Sequence, residues 1–359
     1  MKKNRILAFA LSLTFVTACL ASCGKPAASN PNSNSSAVSS ASASSGSADT
    51  SSEPALGEKP ADYPTENITW IVPAAAGAAI DLPTRALIES LDLGANIVVE
   101  NIAGASQTIG TAEAKNRDAD GYTLLTAANG GMLLQPSLVD LSYDTFKDFR
   151  HIAMIASPDP MAIAVSADSD ISSIEDLLGK LEQGERVTWS FSNSGGVGHL
   201  AGLDLMSQKG YSSAEFVPFN GSAEVITALL GNHIDFIILD ASVIAQRVSQ
   251  GQVKALAVLA DEELATLPGV PAIADYGVEN MGAYVGFKWL AVRADTPDEI
   301  VEYLKAQVNE ATQTEEFQKY LTDNFFAPLD VYTEEEVTEM ITSSFNSCGE
   351  MLTQLGLHK

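Results

Sequence analysis

Two short runs carry the residue types from which an anion site could be built. Ser192-Asn193-Ser194-Gly195-Gly196 follows an alternating strand pattern (Val187, Trp189, Phe191) and precedes a helical pattern that starts near Gly198 or His199. A strand that ends in small polar residues and opens a helix leaves backbone N–H groups pointing outward. The positive end of the helix dipole adds to them, so the spot suits a carboxylate or phosphate. Pro73 to Asp81 repeats the design: it follows the strand Ile68–Val72 and precedes a helix to about Leu91. Small side chains let a ligand reach the backbone. The candidates are therefore Ala76, Gly77 and Ala78 in one run, and Ser192, Asn193, Ser194 and Gly195 in the other. His199 either donates to the anion or caps its own helix. Asn129, Asn220, Gly221 and Asp240 join them, because each follows a predicted strand at its carboxyl end, where ligands sit in α/β sheets. An acid beside an anion is costly, so Asp81 reads better as a cap or loop brace than as a contact. With a ligand that carries an ammonium group, Asp81 or Asp240 becomes its partner. Arg85, one turn on, reads as a brace.

Other chemistries fit less well. Gly196-Val197-Gly198-His199-Leu200-Ala201 matches G-x-G-x-x-A, with Glu215 about twenty residues on. Glu215, however, opens the next strand, and a ribose contact belongs at a strand's carboxyl end. No G-x-S-x-G elbow or P-loop occurs in the sequence. His151, His199, His233 and His358 show no metal-ligand spacing. No catalytic residue, metal or cofactor is expected.

The elements that must position these runs are legible from Ile68 onward as alternating strands and helices. Strands are predicted at Ile68–Val72, Ile97–Glu100, Tyr122–Thr126, Ile152–Ile155, Ala162–Val165, Val187–Phe191, Phe216–Phe219, Ile234–Leu239, Val253–Leu259 and Phe287–Val292. Helices are predicted between them, one from a Ser172–Glu175 capping box to Leu181. Ser222 is expected to cap a helix through Leu230, and Thr296 to cap another, with Pro297 at its first position, through about Thr312. The last runs from Thr333 to about Leu355. Buried strands alternating with helices imply parallel α/β sheets.

The chain has 359 residues and a formal charge of −26. Residues 1–22 hold three cations and no acid, so the rest carries −29. That excludes nucleic acid and electrostatic adhesion to anionic lipid, and any anion site must work through local dipoles. Met1–Asn4 is basic, Ile6–Ala18 is apolar, and Leu20-Ala21-Ser22-Cys23 follows. This reads as a secretory signal over 1–22, and Leu-Ala-Ser-Cys resembles a bacterial lipobox, which implies a lipid on Cys23. Residues 23–65 then read as the lipidated cysteine and a Ser/Ala-rich tether, whose forty or so residues span on the order of 35 Å as a coil. Cys348 has no partner cysteine.

Several stretches together resemble the Bug family, the extracytoplasmic solute receptors of tripartite tricarboxylate transporters. They are Pro73…Gly77…Asp81…Arg85, Val98-Val99-Glu100-Asn101 with Gly104-Ala105 and Ile109-Gly110, Asp120–Leu125, Gly198-His199-Leu200-Ala201, Val217–Ser222, Leu230–Asp235, Gly251–Ala257 and Leu267–Val270-Pro271. The resemblance covers nearly everything from Ile68 on. It implies an α/β, two-domain periplasmic-binding-protein-like (type II) fold with a ligand cleft between the domains. Domain 1 would be 66–166 plus 285–359, and domain 2 would be 167–284. It also implies a small carboxylate held largely by backbone N–H groups and ordered water, and permease subunits as partners; with the lipobox at Cys23, the expectation is a monomer lipid-anchored to the outer face of the cytoplasmic membrane. Three departures stand out: Ala74 and Ala78 replace an aromatic residue and a glycine, Ala105-Ser106-Gln107 replaces a small-residue run that ends in two glycines, and Ala272 replaces a threonine. They bear on which carboxylate binds. An exported sensor or scavenger without a transporter stays open, and an NAD-dependent enzyme stays as a third reading.

Overall fold

In a computed structural model, described here for residues 57–359 apart from Asn220, nine strands and ten α-helices follow in order. The described residues pack as one compact unit. The expected signal segment 1–22, Cys23 and most of the expected tether lie outside the described residues.

Strands β1 (Ile68–Val72), β2 (Ile97–Asn101) and β3 (Thr123–Ala128) pair in parallel, as do β5 (Val187–Ser190), β6 (Ala214–Phe216) and β7 (Phe236–Asp240). The sheet is not wholly parallel, however. Strand β4 (Phe149–Ser166) runs antiparallel to β7, β8 (Val253–Leu259) and β9 (Val285–Arg293), and β9 runs antiparallel to β3. The path is β2-β1-β3-β9-β4-β7-β5-β6, with β8 also on β4. The first part of β4, to Pro160, pairs with β9, and the part from Met161 pairs with β7 and β8. One 18-residue strand thus replaces the two expected at 152–155 and 162–165. The sequence hides its continuity because Pro158 and Pro160 lie inside it. Register shifts between His151 and Asp159 accommodate them, as bulges do.

The helices that matter for the site are α1 (Asp81–Glu89), α2 (Thr108–Asn116), α3 (Gln135–Leu138), α5 (Val197–Lys209), α6 (Ser222–Leu230) and α7 (Ala241–Ser249). Helix α4 (Ile174–Glu182) is capped one residue later than expected: the Ser173 side chain accepts from the Asp176 N–H. Gly221, not Ser222, is the N-cap of α6. Helix α8 (Asp298–Thr312) begins after Pro297, which leaves the Thr296 hydroxyl buried without a partner. Helix α9 (Glu315–Asp323) was not expected at all, although Thr314 caps it through the Phe317 N–H. Helix α10 (Glu334–Gln354) opens with a full capping box between Thr333 and Glu336. Trp70, Trp189 and Trp289 are fully buried in the core. The Trp70 indole donates to Thr126 Oγ1 at 2.9 Å, and that of Trp289 donates to His151 Nδ1 at 2.9 Å. A buried indole N–H needs such an acceptor.

Candidate functional site

The two loops predicted to share one design differ in the structure. In the Ala74–Ile80 loop the N–H groups of Ala74, Gly77 and Ala78 are bonded within the loop and its flanks. Asp81, with no exposed surface, accepts from Gly77 N–H at 2.7 Å, Arg85 Nε at 2.8 Å and Asn101 Nδ2 at 2.8 Å. Asn101 Nδ2 also donates to the Ala74 carbonyl at 3.1 Å, and Arg85 reaches Asn101 Oδ1 at 2.8 Å. Burial alone would raise the Asp81 carboxyl, but Arg85, Asn101 and Gly77 hold it below the ordinary aspartate range. The N–H groups of Ala78 and Asp81 are bonded to Ala75 and Ala78 carbonyls. Asp81 and Arg85 therefore brace this loop. Ala76 and Gly77 lie exposed on it.

The Phe191–Gly196 loop differs in having no acidic side chain that folds back on it, although His199 accepts from Gly195 N–H. Helix α5 starts at Val197 after an extended Gly196 with no side-chain cap. The first backbone bond of the helix is Leu200 N–H to the Gly196 carbonyl at 3.0 Å. Among the described residues none accepts from the N–H groups of Val197, Gly198 or His199. Gly196, Val197 and Gly198 are buried. A buried helix end without acceptors is the feature that an anion satisfies.

The glycines here have a packing role that the sequence did not reveal. A Cβ on Gly198 would sit 2.3 Å from the Phe191 ring, and one on Gly196 2.5 Å from it. Gly195 has φ +73° and lies against Gln135 and Leu138 of α3, whose atoms would be 3.1 and 3.3 Å from its Cβ. His199 does not donate into the loop. Its Nδ1 accepts from Gly195 N–H at 2.9 Å, and its ring packs 3.9 Å from that of Phe216. Burial pulls the imidazole down to about 4, so it is neutral at pH 7. Ser192 Oγ donates to Asn193 Oδ1 at 3.1 Å, and Ser194 is exposed.

The remaining candidates gather elsewhere. Asn129 spends its side chain on β9, donating to the Val285 carbonyl at 2.9 Å and accepting from Phe287 N–H at 2.6 Å. Asp240, at the N-cap of α7, lies 3.8 Å from the buried Lys288 ammonium, and Asp159 lies 3.9 Å from it. Lys288 also sits 5.3 Å from the Phe326 ring centre. Burial pushes the Asp159 carboxyl up, and Ser242 Oγ donates to it at 2.5 Å. Sequence reasoning missed this cluster. Its one signal was two acids and a lysine in otherwise apolar strands. Gly221 precedes α6 with no side-chain cap, and Asn220 lies outside the described residues. A cavity of about 540 Å³ opens between β9 and α10, lined by Phe287, Tyr332, Met340 and Ser344 among others. It includes no residue of either loop. Among the described residues no helix is long and apolar enough to cross a membrane, and no group of three or more His, Cys, Asp or Glu side chains could hold a metal ion.

The sequence is 29% identical to the protein BugT of Bordetella pertussis over 263 residues, 70% of this chain and 78% of that one. Its fold matches that of the periplasmic binding protein BugD with a TM-score of 0.75 at 25% identity, covering 83% of this chain and all of the other. It also matches that of MatC from Rhodopseudomonas palustris with bound malate, with a TM-score of 0.74 at 21% identity, covering 81% of this chain and all of the other. Residues 85–357 match the family described as tripartite tricarboxylate transporter family receptor. The α/β fold, the order of its motifs and this match over most of its length make the chain a member of that receptor family, TctC.

Proposed function

We propose that the protein captures a small organic carboxylate outside the cytoplasm and delivers it to the permease of a tripartite transporter. The observation that carries this is the start of α5, where three backbone N–H groups lie at a buried helix end with no acceptor among the described residues. A carboxylate satisfies these donors and the helix dipole together, and it needs no arginine clamp in a chain of formal charge −26. The malate bound to MatC is an anion of the kind this site suits.

In this reading Val197, Gly198 and His199 donate through their backbones, while Ser192, Asn193, Ser194 and the exposed Ala76 flank the ligand. Asp81 and Arg85 hold the Ala74–Ile80 loop in shape, and His199 shapes its own loop through Gly195. The chain works as two lobes, 66–166 with 285–359 and 167–284, that close on the ligand. Two features support the division: β4 changes pairing partners after Pro160, and β9 returns beside it. The protein acts as a monomer without catalysis, tethered through a lipid on Cys23. The test is a thermal-shift panel of mono-, di- and tricarboxylates, malate included. A carboxylate at a hundred times its Kd adds about 2.7 kcal/mol to stability, so at least one should raise the melting temperature. Shifts with neutral sugars or metal ions alone would refute the reading.

A further inference from the structure

The segment Ala105-Ser106-Gln107 is conformationally costly. Its three residues have φ of 44°, 51° and 78°, and none is glycine. Non-glycine residues are uncommon in this region, and three in succession persist only where the surroundings over-determine them. Here they do. Gln107 N–H donates to the Gly104 carbonyl at 3.0 Å, Gln107 Oε1 accepts from Gly131 N–H at 3.1 Å, and Thr108 and Thr111 hydroxyls hold the Ala105 and Gln107 carbonyls at 2.8 and 2.9 Å. This conformation points one group away from its own turn. Ser106 Oγ donates to the Ser194 carbonyl at 3.1 Å, across 88 residues of sequence. The neighbouring Gly195 rests on Gln135 and Leu138, which follow β3 in the same half of the sheet as Ser106.

We propose that Ser106 is a positioning residue for the ligand site: its hydroxyl latches the Ser192–His199 loop from the opposite side of the cleft and so sets how long the closed state lasts. This rests on the cleft described under the proposed function. The backbone strain then has a use, because it fixes in advance the one hydroxyl that reaches across. The Ser194 carbonyl precedes Gly195, whose N–H is bonded to His199, so the latch and the start of α5 belong to one connected unit.

The experiment compares the wild-type chain with Ser106→Ala, which removes the hydroxyl and keeps the strain, and Ser106→Gly, which removes the hydroxyl and relieves the strain at that one residue. In ligand-free protein, amide hydrogen exchange across residues 192–199 should quicken about fivefold in both variants, the equivalent of one net hydrogen bond. The melting temperature of Ser106→Gly should not fall, since glycine relieves the left-handed turn. With malate as the probe, its dissociation should quicken by a similar factor and its association should change little. Unchanged exchange over 192–199, with effects confined to residues 101–111, overturns the latch and leaves Ser106 as part of its own turn. If wild-type protein does not bind malate or any other carboxylate, the receptor reading fails on that result, while the exchange comparison still decides the latch.

Discussion

Replacing Asp81 by asparagine tests whether the first loop is held from within. The carboxylate has no exposed surface and accepts three donors, Gly77 N–H and Arg85 Nε at one oxygen and Asn101 Nδ2 at the other. Asparagine keeps the shape but offers a single accepting oxygen, so at least one donor faces an NH2 group. A hydrogen bond to a charged group contributes about 1.5–3 kcal/mol and a neutral one about 1. Losing one charged bond and weakening another amounts to about 3 kcal/mol. The Arg85 share is discounted, because its side chain is 43% exposed and solvent screens it. Asp81→Ala, which strips every acceptor, should cost about 4 kcal/mol. Arg85→Ala should cost about 1 kcal/mol or less. Urea unfolding midpoints at pH 7 give the order directly. Because the folded carboxyl is held below its ordinary range, the contribution is complete at neutral pH and is lost as pH falls through and below that range. An Asp81→Asn protein within about 0.5 kcal/mol of wild type, or an Arg85→Ala protein as unstable as Asp81→Ala, would refute the brace.

Other outcomes follow from the same geometry. His151 is buried with its imidazole pulled down to about 4 by burial, so the unfolded chain takes up its proton first. Stability should be full above about pH 6.5 and fall by roughly 3 kcal/mol toward pH 4, and His151→Gln should flatten that part of a pH series of urea midpoints. Gly202→Ala drives a methyl to 2.1 Å from the Trp189 ring. Overpacking of this kind should cost about 1–3 kcal/mol, seen as a lower melting temperature. Lys288→Met removes the one cation between Asp159 and Asp240 and should destabilise by about 3–5 kcal/mol at pH 7. The loss should shrink as pH is lowered and the Asp159 carboxyl, raised by burial, takes up a proton, measured by denaturant titration.

The parallel strands were legible because their apolar runs and the small-residue loops after them are local signals. The edges of β1 match the expected residues, as do those of the antiparallel β8. Strand β4 was not, since Pro158 and Pro160 spoke for a break while tertiary pairing to β7, β8 and β9 carried the chain through. Helix α9 had a readable cap in Thr314 with Glu315 and Glu316 in its first turn, but it is only nine residues long. At the site, the small-residue loops were visible in the sequence, and their hydrogen bonds were not. That Asp81 consumes the Gly77 N–H depends on side-chain placement four residues away, and α5 keeps its first donors open because Gly196 brings no side-chain cap. The Lys288 cluster joins residues from β4, β7 and β9, whose proximity no local pattern announces.

The central claim is that backbone N–H groups at the start of α5 hold a carboxylate. The most direct measurement is a nitrogen-15 NMR titration of glycine- and valine-labelled protein with the carboxylate that gives the largest thermal shift. The account predicts large, saturating changes at the amides of Val197 and Gly198, with smaller ones at Gly77, whose N–H is already bonded to Asp81. Binding that leaves Val197 and Gly198 unmoved while other amides respond would contradict it.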